Sequence, residues 1–224
     1  MVRPKNLRLP FSWNERKALI LDNVWFAPMR DSSFEFPGWE AIFKNNKAPC
    51  IEYCSGNGDW VVQKALQHPE KNWVACERKL DRVRKIWSKR QNFGCNNLLI
   101  IWGEAFFVTR SFFPKASISD VYINFPDPWP KRRHANNRII RPEFVTELSR
   151  CMQNKSQLSL VTDDTAYSEE MNKHVLANTP FTSLLEAPYY REISTGYGPS
   201  FFDTLFRAQM KDIRQLLFIR NSDG

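Results

Sequence analysis

From Ala48 onwards the chain becomes regular: short apolar runs, each with an acid at or near its end, alternate with helical stretches. The runs are Cys50-Ile-Glu-Tyr-Cys54, Trp73-Val-Ala-Cys76, Asn97 to Trp102, residues 119–125, and Gln157 to Thr162. Helical segments fall at 59–67, 79–92, 143–153 and 166–178, the second marked by Leu80, Val83, Ile86 and Trp87 at helical spacing. A short helix fits 38–46, and strand-like segments recur at 181–186 and 201–208. Apolar runs alternating with helices in one register predict an α/β fold with a mainly parallel sheet. In such sheets ligands gather at the carboxyl ends of the strands. Glu52, Glu77, Glu104, Asp127 and Asp163 all stand at or near strand ends and are expected to share that rim.

One strand end differs in kind. After Val121-Tyr-Ile123 comes Asn124-Phe-Pro-Asp-Pro-Trp-Pro130, in which Pro126, Pro128 and Pro130 remove amide donors and restrict φ. Neither helix nor sheet continues through it. Asp127 sits inside this stiff turn, and Lys131, Arg132, Arg133, Arg138 and Arg141 follow. An acidic turn opening onto a basic face suggests chemistry on a nucleic acid, in keeping with a net charge of +8. For the cations the plainer reading is a solvated run, and for Asp127 a turn-capping carboxylate.

Between the first strand and its helix lies Ser55-Gly56-Asn57-Gly58, a loop that a nucleotide can approach closely. Glu77 follows Glu52 by 25 residues, near the roughly 20-residue spacing at which an acid meets ribose hydroxyls. The full G-x-G-x-x-G is absent, as is G-x-x-x-x-G-K-[ST], which counts against a dinucleotide and a triphosphate. A nucleoside cofactor without phosphates fits better. S-adenosylmethionine (SAM) is the candidate, and as a sulfonium cation it tolerates an acidic rim.

Length and composition set the remaining bounds. At 224 residues one main domain with an extension is expected, with a basic arm over 1–37 and a tail over 210–224. The basic face of 78–90 extends a possible RNA track, or is simply a solvated helix face. Five cysteines without a C-x-x-C pair read as buried thiols of a reducing, cytoplasmic protein, not as a disulfide framework or metal site. No signal peptide is visible, and no apolar run approaches the ~20 residues that span a bilayer. Monomer and homodimer both stay open.

Together, E-Y-C-S-G-N-G, A-C-E-R, W-G-E-A, N-F-P-D-P-W-P-K-R-R-H and V-T-D-D-T-A-Y resemble the bacterial tRNA (guanine-N7-)-methyltransferases over roughly residues 38–209. The resemblance implies a Rossmann-like class I methyltransferase fold with about seven strands, the last antiparallel, and a substrate guanine in the tRNA variable loop. Glu52, Gly56, Gly58, Glu77, Glu104 and Asp127 match cofactor-binding positions, Asp127 also the proposed catalytic one. Lys131 and Asp163 match substrate-binding positions. The family's T-x-[FY]-E segment corresponds to Thr195-Gly196-Tyr197-Gly198, with glycine in place of the acid, which makes Thr195 and Tyr197 further substrate-binding candidates. Cys54 replaces the first glycine of the loop, so a backbone that avoids the left-handed region is expected there. Arg132 and Arg133 are candidate phosphate contacts.

The chemistry suits these residues. Guanine N7 carries a lone pair and no proton, so no general base is needed, and positive charge develops on the purine. A fixed carboxylate stabilises that charge as it forms. His134 is then structural or a phosphate contact rather than catalytic, and Trp129 is either a stacking surface or buried. Two alternatives remain: an amino-methyltransferase acting on another base, and a non-catalytic tRNA-binding protein.

Overall fold

The central strands of the first half are buried on both faces, and this makes a parallel sheet possible. In the computed structural model, which describes residues 1–12, 15–27, 34–178, 180–193, 195, 197–198 and 200–222 (for Arg132 the backbone only), the chain divides into two compact units, Met1–Phe113 and Pro114–Gly224. The first contains β1 (Leu19–Leu21), β2 (Val24–Phe26), α1 (Trp39–Phe43), β3 (Cys50–Tyr53), α2 (Asp59–Gln67), β4 (Trp73–Glu77), α3 (Leu80–Phe93), β5 (Leu98–Trp102) and α4 (Ala105–Phe112). Every residue of β3 and β4 is buried, as are four of the five in β5. Such unbroken apolar strands belong inside a sheet covered by helices. The order is β1-β2-β5-β4-β3, parallel throughout except for the β1–β2 hairpin.

That hairpin corrects the expected arm over 1–37. Asp22 and Asn23 both take positive φ, 51° and 58°, and form a two-residue turn that seats β2 beside β5. Asp22 is held by Trp87 Nε1 at 2.7 Å and Gln91 Nε2 at 3.0 Å. Trp25 is fully buried against Phe36 and Phe112, with ring centroids 5.2 and 5.3 Å away. Even the 3-10 turn Pro4–Asn6 is tied down nearby: Ser88 Oγ donates to Val2 O at 2.6 Å and Arg84 Nε to Leu7 O at 3.2 Å. α4, not anticipated from the sequence, follows Glu104.

The second unit contains β6 (Val121–Asn124), α5 (Pro142–Cys151), β7 (Gln157–Thr162), α6 (Thr165–Leu176), β8 (Phe181–Ser183), β9 (Arg191–Glu192), α7 (Phe201–Ala208) and β10 (Arg214–Arg220). β6 and β7 are parallel, whereas β10 runs antiparallel to β7, β8 and β9. The antiparallel last strand was expected, but not its position. Segment 201–208 is a helix, capped by Ser200, which accepts from Asp203 N at 3.4 Å. The strand lies instead in the expected tail, where Leu216 and Phe218 are fully buried. Spacing alone explains the exchange: Phe201, Phe202, Leu205 and Phe206 suit a helix face as well as an apolar run, and only the cap separates the two.

Candidate active site

In the first unit, the carboxyl edge of β3, β4 and β5 carries three acids. Register places Glu52 beside Ala75 and Glu77 beside Trp102, while Glu104 lies two residues beyond β5. Glu52 and Glu77 are buried, with 2% and 4% of their surface exposed. Glu77 is a staple. Its Oε2 accepts from Gly56 N at 3.0 Å and its Oε1 from Lys79 N at 2.8 Å, so one carboxylate joins the glycine loop to the start of α3. Arg82 Nη1 stands 3.7 Å from the same group. Glu104 caps α4, taking the amides of Phe106 at 3.1 Å and Phe107 at 2.7 Å.

Between β3 and α2 the backbone turns through Cys54, Gly56 and Gly58 at φ of 59°, 55° and 77°. The left-handed Cys54 corrects the expectation drawn from its missing glycine. Burial first, then the carboxylates of Glu77 and Glu52, push its thiol up to about 12, so it is a neutral side chain at a mildly strained position. Gly58 is irreplaceable on two counts: its φ is left-handed, and a Cβ there lies 2.6 Å from Ile86 Cγ1. The basic face of α3 serves this loop. Lys85 donates to Asn57 Oδ1 at 3.3 Å, Lys89 to Asn57 O at 2.9 Å and to Asp59, and Arg90 turns inward to Leu98 O at 2.8 Å. Much of what reads as an RNA track is thus internal stitching.

The second unit carries the acids Asp127 and Asp163 just beyond the parallel strands β6 and β7. Asp127 is exposed, and its Oδ1 accepts from Trp129 N at 3.1 Å, the turn-capping contact. Phe125 and Trp129 bracket it with positive φ of 49° and 42°. Lys131 and Arg133 are exposed; the Arg132 side chain lies outside the description. His134 packs edge-on to Trp129 at 5.7 Å. Asp163 does not cap α6; that is Asp164, accepting from Tyr167 N at 2.8 Å. Asp163 pairs with Lys211.

Thr195 and Tyr197 point to different duties. The Thr195 carbonyl accepts from Arg207 Nη2 at 2.8 Å. Tyr197 packs on the Phe125, Val161 and Ile213 cluster, with its hydroxyl 3.4 Å from Ser159 Oγ inside β7. The sequence reading missed a second match to hydroxyl-x-aromatic-acid at Ser200-Phe201-Phe202-Asp203, where the hydroxyl caps α7 and the buried Asp203 takes Arg207 Nε on both oxygens at 3.0 Å. Spacing was signal enough to find it.

Comparison with known proteins gives the family and the fold. The profile of the family described as "Putative methyltransferase" matches residues 46–214. A tRNA (guanine-N(7)-)-methyltransferase of Chlamydia caviae is 40% identical over 222 residues, 98% of each chain. One from Thermotoga maritima is 31% identical over 160 residues, 71% of this chain and 51% of that protein. This chain belongs to the tRNA (guanine-N(7)-)-methyltransferase family. Among solved structures, the 16S rRNA methyltransferase KamB superposes with a TM-score of 0.62 at 12% identity, covering 82% of this chain and 93% of that one. A SAM-dependent methyltransferase from Aquifex aeolicus gives 0.54 at 14%, covering 81% and 88%. These likenesses show that this methyltransferase has the Rossmann-like fold. SAM fits its residues: the glycine loop has no side chains at Gly56 and Gly58, and buried carboxylates suit ribose hydroxyls and a sulfonium charge. Among the described residues no helix is long and apolar enough to cross a membrane, and no group of His, Cys, Asp and Glu has metal-binding geometry.

Proposed function

We propose that this chain transfers a methyl group from SAM to N7 of a guanine in the variable loop of tRNA. The observation that carries the reading is the turn after β6: an exposed Asp127 in a proline-stiffened loop, followed by exposed Lys131 and Arg133. When bound, SAM supplies a methyl group on a sulfonium sulfur, which the N7 lone pair takes without prior loss of a proton. Glu77 and Glu52 hold the cofactor's ribose and adjoining polar groups, with Gly56 and Gly58 admitting it to the backbone. Glu104 contributes from its cap, since a carboxylate's two oxygens accept more than the two amides it already holds.

Asp127 faces the purine and stabilises the positive charge that grows on it, a term that acts mainly in the transition state. Asp163, held by Lys211, accepts from guanine N1–H and the exocyclic amino group. Lys131 and Arg133, with Arg132, hold phosphates beside the target base. Thr195 supplies a substrate-side hydroxyl, and Tyr197 backs the same segment from within the core. The protein works in the cytoplasm, where its substrate is.

The deciding experiment incubates the protein with labelled SAM and unmodified tRNA, then treats the product with aniline. Cleavage at one variable-loop guanine is expected. Label on an exocyclic nitrogen without cleavage makes it an amino-methyltransferase, and absence of both label and SAM binding makes it a tRNA-binding protein only.

A further inference from the structure

The cationic run after the Asp127 turn is not uniform. Lys131 and Arg133 are exposed, but only 15% of the Arg138 side chain is accessible. Its Nε donates to Pro128 O at 2.7 Å, Nη2 to Trp129 O at 3.3 Å, and Nη1 to Glu170 Oε2. The guanidinium carbon lies 5.2 Å over the Tyr167 ring. All three nitrogens are thus spent inside the protein, two of them on the carbonyls that immediately follow Asp127.

α6 reinforces the grip from one face. Tyr167, Glu170 and His174, at i, i+3 and i+7, all meet the 128–140 segment. The Tyr167 hydroxyl accepts from Ile140 N at 3.2 Å, and His174 Nδ1 lies 3.1 Å from Ile140 O. The turn needs such a hold, because Phe125 and Trp129 are bulky residues at positive φ, a conformation that persists only where the surroundings over-determine it.

We propose that Arg138, held by Glu170 and Tyr167, is a positioning residue: it presets the Pro128–Trp129 backbone so that Asp127 stands ready for the purine, and it is not an RNA contact. This rests on the reading of Asp127 given above. A planar fork is required, because one lysine ammonium cannot reach two carbonyls and a carboxylate in this arrangement.

The test compares Arg138→Ala, Arg138→Lys, Glu170→Gln and Asp127→Ala in single-turnover methyl transfer, at saturating SAM and tRNA. Arg138→Ala is expected to slow transfer by about 100-fold, the scale of a small misplacement of a reacting group. Its tRNA affinity and the salt dependence of that affinity stay at the wild-type values, and Arg138→Lys recovers only part of the rate. A rate within about threefold of wild type overturns the proposal. So does a weakened tRNA affinity with a salt slope reduced by about one, the mark of a phosphate contact. Should Arg138→Ala fail to fold, Glu170→Gln decides, read by rate and by hydrogen exchange of the Trp129 amide. Slower transfer with faster exchange supports the clamp; no change in either overturns it. If Asp127→Ala transfers methyl normally, the Asp127 reading fails, while the exchange data still judge the clamp.

Discussion

Two kinds of clamp, of opposite charge, stand out in the two units. At the carboxyl edge of the first, acids hold backbone amides: Glu77 takes Gly56 N and Lys79 N, and Glu104 takes two amides of α4. In the second unit arginines hold backbone carbonyls: Arg138 takes those of Pro128 and Trp129, and Arg207 those of Ile193 and Thr195. Each arginine is tied in turn to an acid on a helix, Glu170 or Asp203. The signs follow the proposed ligands. Carboxylates that order a loop also suit ribose hydroxyls and a sulfonium. Arginines that order a loop from within leave the exposed Lys131 and Arg133 for the proposed phosphate contacts and Asp127 for its proposed place at the purine.

The comparison breaks most visibly at Gly58. Gly58→Ala must adopt a left-handed φ and displace a fully buried Ile86. The expected cost is about 2–5 kcal/mol, read from denaturant unfolding, with loss of SAM binding by calorimetry. Normal stability in that variant would mean that α3 does not constrain the loop as described.

Lys131→Ala probes the other side with a smaller effect. This residue is exposed, so stability should not change. Binding to tRNA should weaken severalfold, and the slope of log affinity against log salt should shrink by about one. An unchanged slope would remove Lys131 from the phosphate track.

The smallest effect sharpens the acidic character of the first unit. The Cys54 thiol rises from 9.0 to about 12, so the folded state favours the neutral form. The resulting stability is complete below pH 9 and is lost as the pH climbs towards 12. Iodoacetamide at pH 8 should leave Cys54 unmodified in the folded protein and label it after denaturation, as mass spectrometry can show. Rapid labelling of the native protein would contradict the half-buried, desolvated and carboxylate-flanked setting.

Much of this was legible in advance, for identifiable reasons. The strands β3, β4, β5 and β7 follow from runs in which every residue or all but one is buried, so composition alone reveals them, and the α2 boundaries 59–67 follow from helical spacing after the glycine loop. Misreadings occurred where local patterns permit two structures. Leu19-Ile-Leu-Asp-Asn-Val-Trp-Phe26 is a hairpin because two residues accept positive φ, and 201–208 is a helix because Ser200 caps it. At the candidate site, the positions of Asp127, Glu77 and Lys131 were visible from their place after strands.

The sequence by itself determined the α/β alternation, the family, the acids at the strand ends and the stiff turn, because these depend on residue type and spacing along the chain. Tertiary structure decided which charges face outward. Lys89, Arg90, Arg138 and Arg207 are as cationic as Lys131 on paper, yet each is turned onto a carbonyl or carboxylate of its own unit. A charge declares its sign in sequence; its partner lies up to tens of residues away, and only packing brings the two within hydrogen-bonding reach.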